Sequence, residues 1–160
     1  MTVADGVGMA GSRDLVLATL LRLLAAWSDG HPVIDQEDAS LVAVGLHDKL
    51  ARDEVMTFVL DHDGPLLLAV YSEIARRAAE EDAAPICTVL AWAAYADGSG
   101  ALAALAAERA LRCQPGYAMA ELVLDGLSRM VPPDAIRVIC RQVRADLDGG
   151  ESDAALGSAG

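Results

Sequence analysis

Hydrophobic and polar residues alternate along this chain with the period of α-helices. In residues 15–27, "LVLATLLRLLAAW", large apolar side chains recur every three or four positions, as one face of a helix requires. No segment shows the two-residue alternation of a half-buried strand. Gly and Pro interrupt the helical pattern at intervals, in "DG" at 29–30, "DGP" at 63–65, "DG" at 97–98, "QPG" at 114–116 and "PP" at 132–133. The pattern predicts an all-α protein.

These interruptions divide the chain into about seven or eight helices, which we expect to form a compact bundle. The first helix is predicted over 12–28 with Ser12 as its N-cap, and the second follows Asp35, a second capping residue. The remaining helices are predicted within 51–60, 66–82, 85–96, 101–113, 117–130 and 134–147. The predicted organisation is a flexible N-terminus (1–11), one helical domain (12–148) and a disordered tail (149–160).

The first predicted helix is apolar on most of its sides. One face holds Leu17, Leu20, Leu21, Leu24 and Trp27, and the stripe is widened by Leu15, Val16 and Leu23. A helix of this kind must be covered on most sides. We therefore expect it either to lie at the centre of the bundle or to form a homodimer through residues 12–28. In the second helix, the residues expected to be buried are Leu41, Val42, Val44 and Leu46.

Composition and charge narrow the classes of function. The 160 residues are 54% hydrophobic but only 4% aromatic, which suits close-packed helices in one domain. A net charge of −12 repels phosphate backbones and anionic lipid, so we expect neither a nucleic acid nor a membrane partner. Residues 15–27 are too short to span a bilayer, and three widely spaced cysteines fit reduced thiols. We expect a cytoplasmic protein.

No set of residues in the sequence has the spacing of a catalytic site. Cys87 stands in the first turn of a predicted helix, where the helix dipole lowers a thiol pKa, but no histidine is close in sequence to act as its base. Small buried cysteines are common in helical cores. The turn "DGSG" at 97–100 lacks the lysine of a phosphate-binding loop. We assign no catalytic and no cofactor-binding residue.

The candidates for metal ligands are also weak. His31, His47 and His62 lack the spacing of zinc ligands, so we interpret them as solvated or capping residues. The segment "DHDG" at 61–64 begins like a calcium loop, but "PLLLAVYSE" follows where further acidic ligands are needed. We interpret it as a turn and assign no metal site.

Residues 84–117 are similar to a tetratricopeptide unit, a helical hairpin of about 34 residues. The matching positions are Leu90, Ala91, Ala103, Ala110 and Pro115, whereas Cys87 and Ala94 depart from the pattern. Neighbouring windows match poorly. We therefore expect one such hairpin inside a compact domain instead of an extended solenoid.

A longer resemblance covers residues 34–133. The segments "AAP", "LAWAAYADG", "GALA", "ERAL", "PGYAMA" and a final "PP" resemble the C-terminal helical region of an actinobacterial domain-of-unknown-function family, numbered forty-one ninety-two. The resemblance implies a helical fold, a cytoplasmic setting and an actinobacterial source. It also implies that family members carry an additional N-terminal half, whose role does not transfer to this chain. It implies no activity and no site residues.

The function that these observations favour is a non-enzymatic interaction module that binds a protein or peptide partner. The predicted contact residues are Trp92 and Tyr95 with a basic stripe in the last helix, Arg137, Arg141 and Arg144. The same stripe could instead pair with acids of the chain itself. The alternative function is a small-ligand sensor or an unrecognised enzyme with a pocket between helices.

Overall fold

A computed structural model describes the backbone of residues 3–157 and the side chains of residues 11–151. Within that range the chain forms eight α-helices: α1 (Val3–Ser28), α2 (Gln36–Gly45), α3 (Lys49–Met56), α4 (Gly64–Arg77), α5 (Ala83–Ala96), α6 (Gly100–Cys113), α7 (Ala118–Ser128) and α8 (Asp134–Gly157). Two short 3₁₀ segments, Thr57–Leu60 and Glu80–Asp82, lie between them. None of residues 3–157 is in a strand, so the predicted all-α bundle is confirmed.

Aspartates cap three of the helices. The side chain of Asp35 accepts a hydrogen bond of 2.8 Å from the backbone N–H of Asp38, as predicted. Asp48 accepts from Leu50 N–H at the start of α3, and Asp63 accepts from Leu66 N–H at the start of α4. Each carboxylate satisfies an N–H group that has no partner within its helix and complements the helix dipole. "DHDG" is therefore a turn that caps α4.

Several helix ends differ from the predicted ones. Helix α1 begins at Val3, so Ser12 lies within the helix and the prediction that it is an N-cap is wrong. Helix α8 continues to Gly157, beyond the predicted end at 147. Helix α4 ends at Arg77, whose carbonyl oxygen accepts 3.0 Å from Gln36 Nε2. The flexibility predicted for 1–11 and the disorder predicted for 149–160 stay predictions, and residues 1–2 and 158–160 lie outside the described range.

Helix α5 is the centre of the bundle. All fourteen of its residues are buried, and it packs most extensively against α6 and α4, with further contacts to α2, α3, α7 and α8. Helix α1 lies outside, against α2, α3 and α4, and it exposes Leu15 and Leu21. The expectation that residues 12–28 occupy the centre is therefore wrong, because α5 fills that place.

Small residues set the closest helix contacts. Ala103, Ala107 and Ala110 on α6 are fully buried against α5, since a methyl group allows two helix backbones to approach closely. On α2, Val42 and Leu46 are buried as predicted, whereas Val44 is exposed. Val44 lies two positions from both buried residues and therefore on the other side of the helix, where it lines a shallow hollow with Leu15 and Val16 of α1.

Candidate functional site

Helices α7 and α8 diverge and leave a groove between them. Pro132 and Pro133 separate the two helices, and their carbonyl oxygens accept 3.0 Å hydrogen bonds from the N–H groups of Ala135 and Ile136 in the first turn of α8. From that turn, α8 packs on α5, α3 and the 3₁₀ segment Thr57–Leu60, whereas α7 packs on α6 and α5. Both helices therefore contact α5 while a space remains between them.

The space is an apolar groove of about 240 Å³. We define the apolar groove by its lining residues: Arg52, Asp53, Met56, Thr57, Trp92, Met119, Leu122, Ile139, Cys140 and Val143. Two of its wall residues are large hydrophobic side chains with unusual exposure, 52% for Leu122 and 43% for Ile139. Adjacent exposed apolar side chains around a groove mark an interaction surface more often than isolated ones do.

Three helices are linked at the floor of the apolar groove. Trp92 Nε1 on α5 donates a hydrogen bond to Cys140 Sγ on α8, at 3.1 Å. The Cys140 thiol in turn donates to the carbonyl oxygen of Met56 on α3, at 3.4 Å. The indole N–H is thereby satisfied inside an otherwise apolar environment, as buried tryptophan requires. The floor is consequently fixed by packing and hydrogen bonds before any partner arrives.

A polar contact closes one end of the apolar groove. Arg52 Nη1 donates to the hydroxyl oxygen of Tyr117 at 3.1 Å, and the guanidinium carbon lies 5.9 Å from the centre of the Tyr117 ring. Arg52 Nη2 also donates to Asp53 Oδ1 at 2.9 Å. These contacts hold α3 against the residue that precedes α7 and place an internally paired charge at the rim.

The two predicted aromatic contact residues are buried. Trp92 is 2% exposed and Tyr95 is 3% exposed. Trp92 nevertheless lines the apolar groove from below. Tyr95 points away from it, and its hydroxyl donates 2.6 Å to the carbonyl oxygen of Val131, just beyond α7. A partner on the surface therefore reaches the floor at Trp92 and does not reach Tyr95.

The predicted basic stripe on α8 is largely engaged within the chain. Arg137 Nη1 donates to the carbonyl oxygen of Val59 at 2.6 Å. Arg144 donates to the carbonyl oxygen of Thr57 at 3.1 Å and forms a close ion pair with Asp61. Arg141 is exposed. Two of the three arginines thus fasten α8 to the 3₁₀ segment, and partner contact by the stripe stays a prediction.

A second groove lies further along α8, and Thr57 lines both grooves. This acidic groove, about 680 Å³, runs between α1, α3, the 3₁₀ segment Thr57–Leu60 and residues 144–151 of α8. Its carboxylates are Glu54, Asp61, Asp146, Asp148 and Glu151, its guanidinium groups are Arg13 and Arg144, and its apolar residues are Leu21, Leu50, Phe58 and Leu147. Carboxylates outnumber arginines, and leucine and phenylalanine side chains lie among them.

The neighbouring acids affect the pKa of Glu54. Burial raises the pKa of the Glu54 carboxyl above its ordinary value, and the charges of Glu151, Asp14 and Asp148 raise it further, whereas Arg13 lowers it. At the other end of the groove, the hydrogen bond from Arg144 lowers the pKa of Asp61. The acidic groove therefore holds Asp61, which is stabilised by a hydrogen-bonded cation, and Glu54, for which burial and neighbouring acids outweigh the effect of Arg13.

The candidate nucleophile does not have the properties of an activated thiol. Burial raises the pKa of the Cys87 thiol, and the nearby guanidinium of Arg109 opposes that effect only in part. Helix α5 begins at Ala83, so Cys87 lies beyond the first turn, where the helix dipole acts most strongly. Cys140 is also buried, and burial raises its pKa too. All three cysteines are free thiols.

The three histidines have different surroundings. His47 Nε2 is 3.0 Å from Asp82 Oδ1, and the ring of His62 packs at 5.2 Å from that of Phe58 at the edge of the acidic groove. His31 is exposed. Among the described residues, no group of three or more His, Cys, Asp or Glu side chains is arranged to hold a metal ion.

Sequence reasoning missed both grooves, although two of the predicted contact residues line them, Trp92 in the apolar groove and Arg144 in the acidic groove. Leu122, Ile139 and Val143 were readable as apolar residues at helical spacing, but the pattern places them in a core. Their exposure arises because α7 and α8 turn away from each other, which is a tertiary property. No helix in the described part of the chain is long and apolar enough to cross a membrane.

Comparison with known protein families gives a match over most of the chain. A family model described as "Domain of unknown function (DUF4192)" matches residues 3–134, which run from the start of α1 to the first residue of α8. The match extends the resemblance noted in residues 34–133 back through the first helix. No curated protein and no solved structure matches the chain.

Proposed function

The chain belongs to the DUF4192 family of domains of unknown function, and we propose that it acts as a non-enzymatic interaction module that binds a protein partner in its apolar groove. The observation that carries this proposal is the groove itself. Leu122 and Ile139 stand exposed on its two walls above a floor fixed by the hydrogen bond between Trp92 and Cys140.

The proposed occupant is the apolar face of an amphipathic helix. Met119 and Leu122 lie one turn apart on α7, and Ile139 and Val143 lie one turn apart on α8, so each wall offers a short apolar ridge. A helix placed between such ridges inserts side chains that recur every three or four residues. The volume of about 240 Å³ is below the roughly 300–1,000 Å³ of small-molecule sites. It suits a few anchoring side chains better than a whole ligand.

The other residues predicted to contact a partner differ in their position relative to this groove. Trp92 contributes the floor, whereas Arg137, Arg141 and Arg144 do not line the apolar groove. We propose Arg141, the exposed member of the stripe, as a peripheral contact with acidic residues of the partner. Tyr95 supports the site indirectly by fixing Val131, which links α7 to α8.

We also propose that the α5–α6 hairpin is tetratricopeptide-like. Its support is the fully buried row of alanines on α6, Ala103, Ala107 and Ala110, which includes both matching alanine positions. A cytoplasmic setting and an actinobacterial source remain part of the proposal. Free thiols and the segments quoted for the family resemblance support them.

A homodimer through residues 12–28 remains a separate proposal. Leu20 and Leu24 are buried in the core, so charged residues there would unfold the monomer. Leu15 and Leu21 are the exposed large hydrophobic residues of this segment. If α1 forms a dimer, Leu15→Glu with Leu21→Glu gives a folded monomer by sedimentation velocity.

The test of the proposed function compares capture by three forms of the chain in lysate from the source organism. The first is the wild type, the second carries Leu122→Asp with Ile139→Asp, and the third carries Leu105→Asp with Val138→Asp. The third is a matched control, because Leu105 and Val138 are also exposed hydrophobic residues but do not line the apolar groove.

The proposal predicts a protein that the wild type and the control variant retain and the groove variant loses. A synthetic peptide from that protein, with apolar residues at helical spacing, should bind and protect the amides of α7 and α8 from exchange. Equal capture by all three forms contradicts the proposal, as does equal loss by both variants.

The alternative function is a small-ligand sensor or an unrecognised enzyme, and one observation favours it. The acidic groove has a volume of about 680 Å³, within the range of about 300–1,000 Å³ for small-molecule sites. Thermal unfolding with a panel of metabolites tests it, and a specific rise in Tm would support it. Rapid alkylation of Cys87 or Cys140 in the native protein would support an activated thiol.

A further inference from the structure

The acidic groove carries a second inference, which does not depend on the apolar groove. We propose that the acidic groove binds a basic amphipathic helix of a partner protein. The lysine and arginine residues of that helix would lie at the rim of the groove, and its apolar side chains would pack against Leu50, Phe58 and Leu147. The family match assigns no ligand and no partner to the acidic groove.

The charge of the groove determines the sign of the occupant. Of its two guanidinium groups, Arg144 pairs with Asp61, and Arg13 lies 3.7 Å from Asp48 and also acts on Glu54. Asp146 accepts a hydrogen bond from the neutral amide of Gln142 at 2.9 Å, a contact that brings no positive charge. The surplus of carboxylates over guanidinium groups therefore attracts cationic side chains.

The position of Glu54 strengthens this argument. Glu54 is partly buried on α3, and Glu151 and Asp148 approach it electrostatically from α8 while Asp14 does so from α1. Like charges held together across three helices are relieved when a cation enters between them. Residues 1–10 and 152–160, whose side chains are not described, contain Asp5 and Asp153 but no lysine or arginine.

The apolar residues of the groove determine that the cation belongs to an amphipathic helix. Leu50 and Phe58 form one side and Leu147 faces them from α8, so a purely polar ligand leaves this surface uncovered. Lysine and arginine can bury their aliphatic stems along such a surface and keep their charges at the rim. A second copy of this chain is a poor occupant, because two copies each carry a net charge of −12.

The test uses a fluorescent synthetic peptide of leucine and lysine, about 18 residues or five helical turns long. Fluorescence anisotropy with the full chain should show saturable binding that weakens as salt concentration rises. A peptide with glutamate in place of lysine, and a lysine peptide without leucine, should both bind at least about tenfold more weakly.

Two charge-matched variants locate the binding site. The groove variant carries Glu54→Gln, Asp146→Asn and Glu151→Gln, and the control carries Glu37→Gln, Glu81→Gln and Glu108→Gln at exposed positions outside the groove. Both lose three negative charges, so a difference between them reports location alone. The groove variant should bind the leucine–lysine peptide about tenfold more weakly than the control does. Leu50→Gln should weaken binding several-fold without changing the net charge.

The following results would overturn the proposal. If the control variant loses as much affinity as the groove variant, the peptide senses only the overall charge. If the peptide protects the amides of α7 instead of those of α3 and of residues 144–151 in α8, it occupies the apolar groove. If sedimentation velocity shows a dimer that Leu50→Gln dissociates, the occupant is a second copy of the chain.

Discussion

Helices α5 and α8 differ more than any other pair in how the bundle surrounds them. All fourteen residues of α5 are buried, and none of them is charged. In α8, among the side chains described, only Ile136 and Cys140 are buried, and the helix lines two grooves along its length. Helix α5 therefore forms the centre of the core, whereas α8 lies at the surface and lines both grooves.

The comparison teaches that side-chain size decides where this bundle closes. Where α6 meets α5, Ala103, Ala107 and Ala110 let the helices approach until no groove remains. Where α7 and α8 lie on α5, the larger Leu122 and Ile139 stay at the surface on either side of a gap. The surface that we propose to be functional lies at the part of the molecule where the alanine packing ends.

The largest expected effect separates two isoleucines, one on each helix. Ile86→Ala on α5 should lower the free energy of unfolding by about 2–5 kcal/mol, because it leaves a cavity in a fully buried position. Ile139→Ala on α8 should lower it by less than about 1 kcal/mol, because that side chain is 43% exposed. Urea unfolding followed by circular dichroism measures both. Equal losses would break the distinction between the two helices.

The next effect tests the close contact of α5 with α6. Ala107→Leu should destabilise the protein by about 1–3 kcal/mol, since the added atoms overpack a position with no free space. Ala101→Leu on the same helix is the control, because Ala101 is exposed and its change should stay within about 0.5 kcal/mol. Thermal unfolding compares them. If Ala107→Leu is neutral, α5 and α6 do not meet as closely as described.

A smaller effect compares two buried tyrosine hydroxyls. Tyr95→Phe should cost about 0.5–1.5 kcal/mol, because it removes the hydrogen bond to the Val131 carbonyl oxygen. Tyr71→Phe should be neutral or stabilising, because the Tyr71 hydroxyl is buried without a hydrogen-bond partner in the described structure. The difference in urea midpoint between the two variants measures this. A larger loss for Tyr71→Phe would contradict the assigned contacts.

The smallest effect is a pH dependence at the acidic groove. The folded-state pKa of Glu54 is raised above 4.5, so its contribution to stability is present below that value and is lost as pH rises through the folded pKa. Glu54→Gln should therefore stabilise the protein at pH 7 by less than about 1 kcal/mol. The gain should disappear below pH 4.5. Unfolding measured at several pH values checks this, and a gain that persists at low pH would exclude titration of Glu54 as its source.

The sequence was sufficient for the helices but not for their arrangement. Turn residues such as Gly98 and Pro132 mark where helices must stop, and this local chemistry fixes the element order. Hydrophobic periodicity identifies the apolar side of a helix, but it does not say which neighbour covers that side. Leu20 was correctly expected in the core, whereas Leu21 beside it is exposed.

A better indicator of the central helix was present in the sequence. Residues 83–96 contain no charged side chain, whereas residues 12–28 include Arg13, Asp14 and Arg22. Burial of an unpaired charge is costly, so the helix without charged residues is the better candidate for the centre. The number of leucines in α1 hid this difference, because leucine gives a helix greater hydrophobicity than alanine does.

The candidate site could be predicted only in part. The apolar residues of α7 and α8 were visible, but the gap between them depends on the direction in which α8 leaves Pro133. That direction is fixed by distant contacts, such as those of Arg137 with Val59 and of Arg144 with Thr57. These pairs are separated by more than seventy positions in the chain, and no local pattern reveals them.

Native-state amide hydrogen exchange on the full chain tests the central claim most directly. If α5 organises the core and α8 the surface, the amides of α5 exchange only by global unfolding, and those of α8 beyond Arg144 exchange by local opening with a lower free energy. Exchange from α5 as fast as from the last turns of α8 would contradict the account.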